Sequence, residues 1–250
     1  MPDAPMTADE VARHADRFED LSAQEVLRWA ADRFGGRIVL TCSWQFQSSV
    51  LVHMVHELGL DVRIVELDTG LLFPETYATR DALVERYGIT VERITPARTV
   101  DEQARDEGSE LWTRDPDRCC ALRKVAPLLT ALDGMDAWIT GIRREQSPTR
   151  AGARKVELDA ARGVVKIQPL VDWSAEDVMG YLFANDVPYN TLHDQGYASI
   201  GCIPCTRAVL PGEDARAGRW AGTGKVECGL PRPPPPAPRP RGSPAAGRCP

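Results

Sequence analysis

The sequence has no uninterrupted apolar run of the length that a membrane span requires. Its first twenty residues are acidic and lack the basic start and apolar middle of a secretory signal peptide. With a net charge of −6, the chain has no overall attraction for nucleic acid or for an anionic membrane surface. We therefore expect a cytoplasmic protein that binds no nucleic acid and no membrane, and that holds anionic ligands with local arginines.

The chain also lacks the character of a disulfide scaffold, because it is 250 residues long and the expected compartment keeps thiols reduced. Its seven cysteines therefore favour metal binding or redox chemistry. Four of them form two groups: Cys119 and Cys120 are adjacent, and Cys202 and Cys205 form a C-x-x-C. A disulfide between neighbours closes a small strained ring, so the adjacent pair needs another partner.

Four thiolates are the ligand set of an iron–sulfur cubane or of a tetrahedral zinc ion. Structural zinc usually takes two loops of the C-x-x-C type, whereas the diverging side chains of adjacent cysteines suit the wider cubane. We predict a [4Fe–4S] cluster on Cys119, Cys120, Cys202 and Cys205, with zinc or simple burial of free cysteines as alternatives. Lys124, one helical turn beyond Cys120, would place a cation beside an anionic cluster.

Segments typical of strands alternate with helical patterns along the chain. The predicted strands are 37–43, 62–68, 89–94, 136–141 and 163–170, and the predicted helices are 7–34, 47–58, 74–87 and 173–186. The last helix begins with Ser174 and Asp177, which resemble a capping box. This alternation predicts an α/β fold with a doubly wound parallel sheet, followed by a loop-rich C-terminal segment.

Composition divides the chain into three parts. We expect a helical or flexible extension over residues 1–20 and a catalytic domain over 21–230. Residues 231–250 are rich in proline and arginine and contain no acidic residue, so they are expected to be disordered.

Two loops follow predicted strands at the same edge of the sheet. TCSWQFQSS (41–49) joins a strand to a helix, and its hydroxyl groups and the helix N-terminus could bind an anion. LDTG (67–70) ends the next strand. Either segment alone is a weak signal, because many turns contain such residues.

Two arginine pairs could bind an anion at this edge. Arg143 and Arg144 follow strand 136–141, and Arg216 and Arg219 lie one helical turn apart if EDARAGRW is helical. The arginine fork matches two phosphate or sulfate oxygens at once.

At this point four motifs are recognisable: RCCALRKVAPL, TGIRREQSPTR, GYASIGCIPCTRAVLPGEDARAGRWAG and ECGL. In order and spacing they resemble the iron–sulfur type of assimilatory adenosine 5′-phosphosulfate reductase, within the phosphoadenosine phosphosulfate reductase family. The resemblance covers roughly residues 20 to 230. It implies an adenine nucleotide α-hydrolase-like fold.

The resemblance also implies an oxidoreductase of sulfate assimilation and cysteine biosynthesis. Such enzymes convert adenosine 5′-phosphosulfate to sulfite and AMP, with thioredoxin as electron donor and partner. Relatives that use the 3′-phosphorylated substrate typically lack the four cluster cysteines, so the unphosphorylated nucleotide is favoured and the 3′-phosphorylated one is the alternative. The resemblance leaves open whether the protein forms a homo-oligomer.

The resemblance assigns Cys228 of ECGL as the nucleophile that attacks sulfur, expels AMP and becomes an S-sulfocysteine. The family motif continues to a histidine, where this chain has Pro231. Cys42 is expected to be a packing residue in a buried strand, and Cys249 lies in the tail. The implied substrate-binding residues are Ser43, Leu67, Thr69, Lys124, Gly141, Arg143, Arg144, Arg216 and Arg219.

Two rival functions remain open at this stage. An ATP pyrophosphatase-type sulfur-transfer or sulfate-adenylylating enzyme would need a glycine-rich loop after the first strand, and residues 41–49 contain no glycine. A non-catalytic iron–sulfur or zinc sensor would need neither the ordered arginine motifs nor Cys228.

Overall fold

The computed structural model describes residues 6–229, and a six-stranded sheet runs through this part of the chain. In chain order the strands are β1 (Ile38–Cys42), β2 (Arg63–Leu67), β3 (Val91–Ile94), β4 (Ala137–Ile139), β5 (Val156–Asp159) and β6 (Val164–Ile167). The strand order is β3-β2-β1-β4-β6-β5, and every neighbouring pair is parallel except β5 and β6. The predicted α/β, doubly wound class is confirmed.

The edge strand β5 adds one antiparallel pair to the predicted parallel sheet. It forms a hairpin with β6, turning through residues 160–163 with Gly163 at φ 71°. A strand of four residues with two acidic side chains, VELD, has too weak an apolar pattern to be predicted.

The described residues form these helices: α1 (Ala8–Glu19), α2 (Ala23–Phe34), α3 (Phe46–Glu57), α4 (Pro74–Tyr87), α5 (Val100–Glu107), α6 (Leu111–Arg114), α7 (Pro116–Cys120), α8 (Ala126–Leu132) and α9 (Ala175–Ala184). A π-helical turn, Ala121–Val125, joins α7 to α8. None of these helices is long and apolar enough to cross a membrane.

The single helix predicted over 7–34 is wrong, because the structure has two helices there. Ser22 begins α2 with a capping box to Glu25, as Thr7 begins α1 with one to Glu10. These caps satisfy free backbone N–H groups and make two starts more stable than one continuous helix. The capping box predicted at Ser174 is confirmed.

Apolar side chains alternate between the two faces of the sheet. Ile38 and Leu40 of β1 pack with residues of α1, α2, α3, α4 and α9 in the larger core. Val39 packs on the opposite face with Leu128 of α8 and with Trp138 of β4. Burial on both faces is what a doubly wound sheet requires.

The predicted N-terminal extension contains α1, whose Val11, Ala15 and Phe18 are buried. Val11 and Phe18 belong to the larger core. The predicted disordered tail, residues 231–250, and Cys249 within it lie outside the described residues.

Candidate active site

A cavity of about 190 Å³ opens where the chain reverses direction across the sheet. β1 lies between β2 and β4, so successive strands depart to either side of it, and ligands of such folds bind at the carboxyl ends of strands at this point. Four of the residues predicted to bind substrate line the cavity from this edge: Ser43, Leu67, Thr69 and Gly141.

The N-terminus of α3 reaches the wall of this cavity. Ser43 donates its backbone N–H to Ser48 Oγ at 3.0 Å. Gln45, the residue before the helix, makes no side-chain cap, because its amide oxygen accepts from the Ile200 N–H at 2.8 Å. An uncapped first turn keeps N–H groups and the positive end of the helix dipole available to an anion.

Two glycines of the recognised motifs permit close approaches at the cavity. A Cβ on Gly141 would lie 2.7 Å from Gln47 Cβ, so only glycine lets the end of β4 pack against α3. A Cβ on Gly201 would lie 2.2 Å from Arg219 Nη2. Any larger residue at position 201 would displace that guanidinium.

Arg216 and Arg219 both line the cavity, as predicted, but they lie in a turn rather than a helix. The Arg219 N–H donates to the Arg216 carbonyl at 2.8 Å. Arg219 Nη1 donates to Ile200 O and Ser199 Oγ, both at 3.1 Å. Its guanidinium lies over the Trp220 ring, and among the described residues its buried Nε has no acceptor.

Arg143 and Arg144 do not line the cavity, which corrects the predicted placement. Arg144 Nε donates to Ala153 O at 2.8 Å, and its Nη2 pairs with Glu19. The cause lies in the backbone: the Arg144 N–H donates to Val171 O at 2.8 Å, which draws the segment towards the loop after β6.

Arg143 lies behind the cavity wall. It is buried, and its Nη1 donates to Trp173 O at 3.1 Å and pairs with Glu145. Its backbone N–H donates to Gln146 Oε1 at 3.1 Å. With the Gln47 amide oxygen turned towards it, Arg143 also donates to that oxygen at 3.2 and 3.3 Å. Arg143 therefore supports two glutamines that line the cavity.

Arg150 lines the cavity and was missed by the sequence analysis. Its guanidinium donates to Glu227 through Nε at 2.9 Å and Nη2 at 2.8 Å. The available signal was its membership of TGIRREQSPTR, in which the first two arginines were chosen instead.

Cys228 lines the same cavity and is partly buried. Cys42 also lines it, but burial and the neighbouring Glu66 raise the pKa of the Cys42 thiol. Because the thiolate is the nucleophilic form, Cys42 is poorly suited to attack a substrate. Its burial in the larger core agrees with the packing role predicted for it.

The four clustered cysteines line a second, small cavity next to the first. No three His, Cys, Asp or Glu side chains among residues 6–229 lie close enough together to hold a single metal ion. Four thiols around one cavity are the ligand set of a cubane, in which each iron takes one sulfur. The donor set therefore fits an iron–sulfur cluster.

Burial affects the chemistry of these thiols. It raises the pKa of Cys119, that of Cys120 to about 12 and that of Cys205 to about 11. Because metals bind the thiolate, any metal group held by these cysteines would release protons when it binds.

Lys124 lines both cavities, as Arg219 does. Burial disfavours its charged form, but negative charge on the neighbouring Cys202 and Cys228 sulfurs outweighs that effect. The pKa of Lys124 is therefore raised. An ammonium group in this position can face an anion in either cavity.

Comparison with known proteins agrees with this arrangement. The sequence profile of the phosphoadenosine phosphosulfate reductase domain matches residues 37–208. The chain belongs to this family. A relative named adenosine 5′-phosphosulfate reductase, from Streptomyces coelicolor, is 50% identical over 228 residues, or 90% of this chain and 96% of the relative.

Solved structures place the family fold in a wider group. The phosphoadenylyl-sulfate reductase of Candida auris, in its phosphate complex, has a TM-score of 0.73 and 30% identity, covering 82% of this chain and 99% of that one. The FMN adenylyltransferase of Candida glabrata has a TM-score of 0.56 and 15% identity, covering 81% and 68%. The second likeness shows the fold alone, and it agrees with the predicted adenine nucleotide α-hydrolase-like type.

The family motifs meet through the turn after β2. Thr69 Oγ1 lies 3.3 Å from Cys202 Sγ, and Thr69 O accepts from Arg123 Nε at 2.6 Å. The Ile203 N–H donates to Leu71 O at 2.8 Å. LDTG, RCCALRK and GCIPC thus form one connected structure between the two cavities.

Proposed function

We propose that this protein reduces adenosine 5′-phosphosulfate to sulfite and AMP, with reduced thioredoxin as electron donor. The observation that carries the proposal is the shared cavity at the switch point of the sheet, where Cys228 lies with Lys124, Arg216 and Arg219. Attack on a sulfuryl group bound to a phosphate requires a soft nucleophile and nearby cations, and this cavity contains both. The names of the relatives support the same activity.

The proposed nucleotide site lies at the edge of the sheet. We assign the adenosine to Leu67, Thr69 and Gly141, which line the cavity at the ends of β2 and β4. The phosphosulfate would then lie towards Ser43 and the uncapped N-terminus of α3, where Arg216 and Arg219 also line the cavity. Arginine and lysine together would neutralise both charged groups.

The first step transfers the sulfo group to the enzyme. The Cys228 thiolate attacks sulfur, an S–S bond forms, and the bond from sulfur to the bridging oxygen breaks. AMP leaves with that electron pair, and charge develops on its phosphate. Lys124, Arg216 and Arg219 are placed to stabilise this charge in the transition state.

The second step releases sulfite. One thiolate of thioredoxin attacks Cys228 Sγ, sulfite departs with the electron pair, and a mixed disulfide remains. The second thioredoxin thiol then displaces Cys228 and closes a disulfide in thioredoxin. The two electrons gained by the sulfo group equal those lost by the two thiols.

Cys119, Cys120, Cys202 and Cys205 would hold a [4Fe–4S] cluster. When bound, such a cluster supplies a negatively charged anchor that fixes α7 to the C-x-x-C loop. Lys124 would then balance the cluster on one side and the substrate on the other. This keeps a cation oriented beside the reacting sulfur.

The test is a comparison of two nucleotides. Sulfite release should be faster from adenosine 5′-phosphosulfate than from its 3′-phosphorylated form, because relatives of high identity carry the former name. The reaction is followed with reduced thioredoxin under anaerobic conditions. A preference for the 3′-phosphorylated nucleotide would favour the activity named for the Candida auris protein. No sulfite from either nucleotide would overturn the proposal.

A further inference from the structure

The last described segment, residues 225–229, contains Cys228, which lines the cavity; we call this segment the strap. It is attached at four points, one of which is the Val226 carbonyl, which accepts from Arg216 Nη2 at 2.8 Å. Lys225 pairs with Asp117, and the carbonyl of Gly229 accepts from Arg162 Nη2 at 3.1 Å. Between these two, Glu227 makes the most extensive attachment.

Glu227 is a buried carboxylate with a nearly complete set of donors, its side chain being only 3% exposed. Oε1 accepts from Ser147 Oγ at 3.2 Å, Thr149 Oγ1 at 3.1 Å and Arg150 Nε at 2.9 Å. Oε2 accepts from Arg150 Nη2 at 2.8 Å and Arg216 Nη2 at 3.1 Å. Burial opposes ionisation, but these donors and charges outweigh it and hold the pKa of Glu227 below its ordinary value.

Burying an ionised carboxylate is energetically unfavourable unless its charge is compensated. An ion is stable in a protein interior only when its partners satisfy it, and breaking such a pair leaves uncompensated charge. Here two arginines from separate segments meet one carboxylate, and Arg150 does so in the bidentate geometry that fixes direction as well as distance.

The position of Glu227 in the chain gives this attachment a consequence. Glu227 precedes Cys228 directly, and adjacent Cα atoms are only about 3.8 Å apart. Fixing the carboxylate therefore restricts the nucleophile to a small region of the cavity wall. Without it, the remaining attachments are those of Lys225, of Gly229 and of the Val226 carbonyl, and the Asp117 partner of Lys225 is 84% exposed.

We propose that Glu227 is a positioning residue that fastens the strap to Arg150 and Arg216 and thereby holds Cys228 at the substrate. The inference rests on the proposed function, since it concerns the nucleophile of that reaction. Arg150 then serves the strap, because its Nε and Nη2 are directed to Glu227 and its Nη1 to Gln146. Arg216 has two roles, because it binds Glu227 of the strap and also lines the cavity.

An opposite interpretation makes a different kinetic prediction. If Glu227 merely occupied the place of a substrate anion, its removal would strengthen nucleotide binding. If it positions Cys228, its removal slows sulfo transfer and leaves binding nearly unchanged. The two interpretations are separated by measuring transfer and binding independently.

The experiment uses the full-length, cluster-loaded protein and variants Glu227→Ala and Glu227→Gln. Formation of the SO₃ adduct on Cys228 is followed by mass spectrometry in single turnover without thioredoxin. We expect Glu227→Ala to slow it roughly 100-fold, the scale of a misplacement of about 1 Å, and Glu227→Gln to slow it less. The Kd for AMP should stay within about threefold, the margin left when transition-state positioning alone is lost.

A matched control is Glu213→Ala. Glu213 is also bound by an arginine, with Arg207 Nη1 and Nη2 at 2.8 and 3.0 Å, but neither residue lines the cavity. Its adduct rate should equal that of the wild type. An equal loss in this variant would mean that any broken ion pair in the segment has the same effect, and would overturn the proposal.

A second readout does not require the reaction. Alkylation of Cys228 by iodoacetamide, located by peptide mass, should be several-fold faster in Glu227→Ala than in wild type, because the strap is released. Unchanged alkylation and adduct rates in Glu227→Ala, or an AMP Kd more than tenfold tighter, would overturn the inference. If wild-type protein forms no adduct, the proposed function fails, while alkylation still tests the strap.

Discussion

The sheet and the segment over residues 190–229 are held in place by different forces. Strand β1 is fixed by apolar burial on both faces, with Ile38, Val39 and Leu40 fully buried. The later segment has short 3₁₀ turns and isolated bridges, such as Leu72 with Cys202, and is held by arginine side chains and thiols. The reactive groups thus lie where local structure depends on distant partners and, as proposed, on a cluster.

The largest expected effect is a loss of activity without a loss of structure in residues 190–229. Cys228→Ser should abolish sulfite release, because the hydroxyl is a far weaker nucleophile than the thiolate. Iron content, AMP binding and the melting temperature should stay at wild-type values, since Cys228 is partly exposed and outside both apolar cores.

The matched control is Cys249→Ser, in the part of the chain that the structure does not describe. It should still form the adduct on the Cys228 peptide. An adduct that appears on Cys249 instead would contradict the assignment.

The next largest effect is a local loss of structure in the segment over residues 190–229 that leaves the sheet intact. Cys202→Ser should lower iron content from about four per chain and reduce activity with it, because the cubane loses a ligand. Hydrogen exchange should quicken in residues 196–229 and stay slow in β1, whose stability comes from apolar burial.

Cys42→Ala is the corresponding change in the sheet, since Cys42 ends β1 in the larger core. It should lower the free energy of unfolding and leave iron content unchanged. Stoichiometric zinc in place of iron and sulfide would contradict the cluster assignment.

A smaller effect is expected for substitutions of Arg219 and Arg144, to which the sequence analysis assigned the same substrate-binding role. Arg219→Ala should lower kcat/KM by tenfold to a hundredfold, because a charged hydrogen bond is worth about 1.5–3 kcal/mol. Arg144→Ala should change kcat/KM less than about threefold, since Arg144 binds Glu19 and Ala153 away from the cavity. Steady-state kinetics decide the comparison, and equal losses in both variants would contradict the geometry.

The smallest expected effect is on the free energy of unfolding, and it arises where residues 190–229 contact helix α3. His193 stacks on Phe46 of α3 with ring centroids 3.6 Å apart, and burial lowers the pKa of His193 to about 4. Between the unfolded value of about 6.5 and the folded value, the unfolded chain binds more protons. The free energy of unfolding should therefore decrease as the pH is lowered through that interval, by at most about 1.4 kcal/mol per pH unit.

The measurement is urea unfolding of wild type and His193→Gln from pH 7.5 to 4.5. Acidic groups contribute equally to both proteins, so the difference between them isolates the histidine. The variant should show the shallower dependence. Parallel curves would mean that His193 does not titrate across this junction.

Helix α4 could be predicted to the residue, because both of its ends are encoded locally. Pro74 stands at the favoured first position, and Gly88 ends the helix at φ 61°, where glycine is unstrained. The sequence also grouped the four cysteines that line one small cavity, and their assignment as cluster ligands stays a prediction. Strand β5 could not be predicted, because its register depends on pairing with β6 rather than on its own pattern.

Side-chain direction was the other part that could not be predicted. The end of β4 indicated the correct edge of the sheet, but Arg144 turns towards Val171 and Glu19, which are remote in sequence. Arg150 was missed for the converse reason. Its role depends on Glu227, which lies 77 positions further along the chain.

The two outer strands also bear on how the protein behaves in a crowded solution. β3 and β5 are each four residues long, and Glu92 and Arg93 of β3 are exposed. On the other side, Glu157 of β5 is paired with Lys166 of β6 at 2.7 Å. Short, charged edge strands discourage a second chain from extending the sheet. The fold thus carries its own protection against aggregation, and self-association would have to use a surface other than these edges.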